Sequence, residues 1–248
     1  MSQPAEVSMD EAPKASKVPP QLVALIAPDV GMPRVALEGR ARWPIAFALI
    51  CSLAFAGAQS MRVNAREETL KDAEMSGQLK DMSDRQVDDN AKAAERKFIV
   101  KTVALAAIRP PAICLAYLAS LFLLSWFLRG RAKGGQIASV AGALLLPAAI
   151  RDLLSAVAAL MHRALPTSGP PLIPTTLTQV LGAMGHPLMG TIGTLGNALD
   201  FFSLWAALMF SFGLATAAGV SRKSALVAGL TAWVLWRLLF ACAFHLGG

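Results

Sequence analysis

Five charged residues interrupt stretches that are otherwise apolar: Arg109, Arg151, Asp152, Asp200 and Arg237. An ionised side chain in such surroundings is costly unless it is paired, which makes these five the first candidates for function. Their types allow two roles. Pairing of Asp200 with Arg237 or Arg151 removes two lone charges at once and orders a helical bundle. A substrate or proton pathway is the other role, but a proton relay needs acidic groups through the middle of the apolar region, and none stand there. A structural polar network is therefore expected.

Other chemistry finds little support. His162, His186 and His245 lack the H-x3-H or HExxH spacing of a metal site. Cys51, Cys114 and Cys242 sit singly in apolar runs, without CxxC pairs or an even disulfide framework. Met61, Met75 and Met82 are spaced as a helix face rather than as soft-metal ligands. Glu67–Glu68 resembles the paired glutamates of intramembrane prenyl proteases, but Asp72 stands where that motif needs an arginine. No GxSG nucleophile loop is present, and Gly190, Gly193 and Gly196 lack the strand and lysine of a phosphate cradle. Catalytic, cofactor and metal sites are all expected to be absent.

The elements that must position the five charges are long apolar runs, at about residues 43–61, 111–128, 136–157, 197–220 and 225–246. At about 1.5 Å per residue each reaches the roughly 30 Å of a bilayer's hydrocarbon core. The chain is 55% hydrophobic with a mean hydropathy of +0.51, too apolar for a soluble domain of 248 residues. Ten-residue alternating segments of a membrane β-barrel are missing. The fold class expected is all-α: a polytopic membrane protein, five transmembrane helices in one bundle. The net charge of +7 gathers at the ends of the runs, without the basic stripe and interleaved aromatics that bind nucleic acid.

Residues 1–32, polar and rich in proline, read as a disordered cytoplasmic tail ahead of a membrane domain over 33–248. Pro33–Arg42 reads as a short interfacial helix, Trp43 as an aromatic-belt residue, and the first run as an uncleaved signal anchor. The insert 62–98 carries nearly balanced charge, no proline and one glycine. Cap spacing at Asn64/Glu67 and Ser83/Gln86 predicts two helices broken near Met82, an extracytoplasmic helical hairpin. Arg129, Arg131 and Lys133 fill one short connection, and Arg222 and Lys223 another, whereas 164–196 has no charge. Short basic loops stay cytoplasmic, so the N-terminus is expected inside and the C-terminus outside. Ala207, Ser211, Ala215 and Gly219 recur every four residues, a small-residue stripe for close helix packing, within the chain rather than between copies.

The segment Leu199–Trp236, LDFFSLWAALMFSFGLATAAGVSRKSALVAGLTAWVLW, resembles the last two spans of bacterial members of the Yip family of Ypt/Rab-interacting membrane proteins. PRVALEGRARWP (Pro33–Pro44) is similar to that family's lead-in, and the insert, Pro147 and LGAMGHP follow in order. Asp200, Phe202 and Trp205 match a recognisable family position, although the DLxGP-type motif of eukaryotic members is missing. The resemblance implies a five-span protein of the bacterial inner membrane, no enzyme activity, and a role as an accessory or assembly subunit of an envelope complex. Its implied partners are membrane lipids and integral proteins such as an ABC-type exporter permease or a membrane-fusion protein, with a homo-oligomer also compatible. A small transporter or lipid-handling channel using the buried charges is the rival expectation.

Overall fold

A computed structural model describes residues 18–77, 83–167, 172–186 and 199–246, with residues 190, 193, 196 and 197 between the last two. For 238–246 it describes the backbone alone. The described residues form ten named helices and no strand: α1 (Pro20–Ile26), α2 (Pro28–Glu38), α3 (Arg42–Arg62), α4 (Arg66–Met75), α5 (Asp84–Phe127), α6 (Gly134–Ala143), α7 (Leu146–Met161), α8 (Leu177–Ala183), α9 (Phe201–Ala218) and α10 (Arg222–Leu246). Four helical stretches are long and apolar enough to cross a membrane: α3, α5, α6 with α7, and α9. The fifth expected run falls on α10, which has 25 residues but is not among those four.

α9 is the hub. Ten of its eighteen residues are buried, and α2, α5, α6, α7 and α10 all touch it. Small residues permit this approach. Ser211 is fully buried, and a Cβ added at Gly229 of α10 would lie 2.2 Å from its hydroxyl. On another flank, a Cβ at Gly213 would lie 2.4 Å from Val140 of α6 and 2.8 Å from Met32 of α2. Gly219 does not pack. It closes the helix at φ 67°, a left-handed conformation glycine adopts without strain.

Two elements differ from the sequence expectation. The N-terminal segment read as disordered is helical from Pro20, and α1 and α2 fold against each other and into the bundle. Ala24, Met32 and Val35 have no exposed surface. Each helix begins with proline, whose fixed φ suits a first turn, so prolines that suggested a loose tail here start helices. Residues 1–17 of the expected tail lie outside the described residues.

The second difference is α5. The insert and the second span, read as separate elements, share one 44-residue helix that runs from the Ser83–Gln86 capping box through Pro110 and Pro111 to Phe127. α4 lies against its first half, with Arg66 Nε 3.3 Å from Asp88 Oδ1 and Ala65 N donating to Glu95 Oε1 at 3.1 Å. Asn64 stands just outside α4, its Oδ1 accepting from Arg66 N at 3.0 Å. The expected break near Met82 lies outside the described residues, as does most of 187–198.

Two ends of the bundle are tied separately. At one, Arg131 N donates to Ala218 O at 2.8 Å, joining the two basic connections, and Ser139 Oγ donates to Gly39 O at 2.7 Å. At the other, Val63 bridges Leu165, Glu68 accepts from Thr167, and Thr176 bridges Asp200. The third apolar run breaks at Leu144–Leu145, with Pro147 in the first turn of α7, and Leu144, Leu145 and Leu146 are each 1% exposed. Gly229→Leu should force α9 and α10 apart and lower stability by about 1–3 kcal/mol, the usual range for overpacking. Gly57→Ala, with nothing within 4 Å of the added Cβ, should leave the Tm in detergent unchanged or slightly raised.

Candidate functional site

The five charges gather toward the end of the bundle opposite the basic connections. Asp200 is the N-cap of α9: its Oδ2 accepts from Ser203 N at 2.9 Å, and Ser203 Oγ donates back to Asp200 O at 2.9 Å. Asp/Ser chemistry at a helix start satisfies backbone donors that the helix itself leaves orphaned. α10 then brings Arg237 alongside. Its Nη2 lies 3.2 Å from Asp200 Oδ2 and also donates to Ser203 Oγ, which accepts from Trp233 Nε1 at 3.3 Å as well. Arg237 is fifteen residues into α10, roughly 22 Å from its basic start.

Arg151 and Asp152 make a second, local pair on α7. Arg151 Nη2 is 3.2 Å and Nε 3.4 Å from Asp152 Oδ1, and Asp152 is 6% exposed. Arg109, on α5 just before the tandem prolines, lies within the electrostatic field of Arg151, Asp152 and Asp200. It is exposed and has no carboxylate within ion-pair distance among the described residues. Tyr117 of α5 lies near these charges, its ring centre 6.4 Å from that of Phe210 and the two rings tilted by 47°. Tyr117 and Ser203 are members of this cluster that the sequence did not single out. Neither residue type is unusual in an apolar helix, so only the fold reveals them.

The arrangement holds three guanidinium groups against two carboxylates, a net positive cluster. Among the described residues, buried Asp200 Oδ1 accepts no hydrogen bond and buried Trp205 Nε1 donates none. Chemically this can neutralise charge, orient α7, α9 and α10, and present a cation at Arg109. Cys51 and Cys114 are buried free thiols. No group of three or more His, Cys, Asp or Glu side chains converges among the described residues. His162 and His186 are exposed, and the side chain of His245 lies outside the described residues, as does that of Cys242. Of the small-residue stripe, Ala207, Ser211 and Ala215 are buried on α9, and Gly219 caps it.

Comparison of the chain with protein-family models, curated proteins and solved structures finds no match. Removing one member of a buried ion pair leaves the other charge without a partner. Arg237→Ala should therefore cost about 3 kcal/mol or more. The double variant Asp200→Asn/Arg237→Gln should recover more than half of that loss in detergent unfolding. Arg66→Ala breaks a pair that is half exposed and should shift stability by under about 1 kcal/mol.

Proposed function

We propose that this chain is a non-enzymatic accessory or assembly subunit of a complex in the bacterial inner membrane. One observation carries this reading. A single helix of 44 residues, roughly 66 Å long, joins the charged insert to the second span without a joint of loop. A bilayer's hydrocarbon core takes up about 30 Å of that length. More than half of α5 is then an arm in water, braced by α4, which suits presenting a partner surface well beyond the bilayer. On this reading Leu70 and Met75, exposed on α4, and the exposed Val100 and Leu105 on α5 belong to the partner surface.

The proposed topology has five spans, α10 being the fifth, with the N-terminus cytoplasmic, the C-terminus extracytoplasmic, and α4 with the first half of α5 forming the outer hairpin. The hydrogen bond from Arg131 to Ala218 supports it by placing both short basic connections at one end, together with the start of α3. The resemblance of Leu199–Trp236 and Pro33–Pro44 to bacterial Yip proteins supports the same order of elements and an exporter permease or membrane-fusion protein as partner.

A transporter or lipid-handling channel is the second reading, favoured by Asp200 Oδ1 and Arg109, which have no hydrogen-bond donor and no carboxylate partner, respectively, among the described residues. Purification of the full chain in mild detergent should yield a stoichiometric integral-membrane partner, lost when Leu70 and Met75 are both changed to Ser while the Tm holds. A pure homo-oligomer, together with solute flux in liposomes abolished by a folded Asp200→Asn variant, would replace this reading by the second. Single cysteines at Arg131 and His162, in a chain whose described native thiols are buried, should label from opposite faces of intact membranes.

A further inference from the structure

α10 packs chiefly on α9, and among the described residues it makes little contact with α5. Between α5 and α10 runs an open, mostly apolar groove of about 610 Å³. Leu124, Phe127 and Leu128 form the α5 wall, and Val227, Ala228 and Leu235 line the α10 wall. Polar groups are confined to Thr231 and to Lys223 and Ser224 at one end. Lys223 is exposed and forms no ion pair among the described residues. Its described lining is distinct from the Asp200–Arg237 pair and reaches Leu235, two residues before Arg237.

Charge selects the occupant. The described lining follows α10 over the twelve residues from Lys223 to Leu235, roughly 18 Å along the helix. Lys223 sits at the headgroup end, beside Arg222 and on the same side as Arg129 and Arg131, where an anionic phosphate is attracted and a bare ammonium lacks a partner. We propose that this groove binds one anionic phospholipid of the leaflet that meets the basic connections. Its acyl chain lies between α5 and α10, and its phosphate lies on Lys223.

The test uses the full chain reconstituted in equimolar phosphatidylglycerol and phosphatidylcholine, extracted in mild detergent and weighed intact by native mass spectrometry. One retained phosphatidylglycerol per chain is expected. Lys223→Gln, a surface change, should lower its preference over phosphatidylcholine about fivefold, the contribution of one lysine at headgroup level. Ala228→Phe, which fills the groove, should remove bound lipid of both kinds; if that variant fails to fold, Lys223→Gln still decides. Inorganic phosphate at millimolar concentration should displace nothing, because the chain and not the phosphate alone holds the ligand. Equal retention of the two lipids that is indifferent to Lys223→Gln overturns the proposal. So does displacement by inorganic phosphate, or a lipid-free dimer in which a second copy covers the groove.

Discussion

Close approach of helix backbones at α9 is the constraint on which the rest of the structure depends. Lipid tails are as apolar as leucine, so helices gain little from hiding apolar surface and hold together through packing distance and internal polar bonds. Ser211 against Gly229, and Gly213 against Val140 and Met32, let α10, α6 and α2 reach α9 at positions where a single methyl group would collide. Because those contacts fix where α10 stands, they also fix where its far half meets the start of α9. The ion pair between Asp200 and Arg237 is thus a consequence of small residues two to four turns away.

Electrostatics divides the molecule along its long direction. One end carries cations on short connections held together by backbone hydrogen bonds. The opposite end concentrates the paired charges, where each carboxylate also meets a helix start or a neighbouring guanidinium. Both carboxylates lie near that end, and Leu144, Leu145, Leu146, Met209 and Leu214 form a buried apolar layer within the bundle.

Much of this was legible from residue order, for stated physical reasons. Long apolar runs betray α3, α6 with α7, and α9, because a backbone in hydrocarbon must satisfy its own hydrogen bonds. Ser83 with Gln86 is a reciprocal cap whose chemistry is local, and it is present; Asn64 with Glu67 is not one, since Ala65 stands at the N-cap of α4 without a side-chain bond. The pairing of Asp200 with Arg237 was one of two combinations that charge alone allows; choosing between them needed the α9–α10 contact. The packing of α1 and α2 was hidden. Each is short, and what decides its order is the cavity that Met32 and Val35 fill beneath α9, which has no local signature. The continuity of α5 was hidden too, since Pro110 and Pro111 would end most helices.

Those two prolines give α5 a mechanical character beyond its length. Neither ring nitrogen can donate, so the carbonyls of Ala106 and Ala107 lack their helical donors. The helix is therefore weakest in bending at one place, beside Arg109, with stiff rod on both sides. About twenty-six residues lie beyond that place, a lever of roughly 39 Å. A change of about 20° in the bend there, the scale of an ordinary proline kink, carries the far tip through roughly 13 Å. Bundle and arm are thus coupled as a hinge and a pointer: a small rearrangement among the side chains around Arg109 becomes a displacement the width of a whole helix at the other extremity.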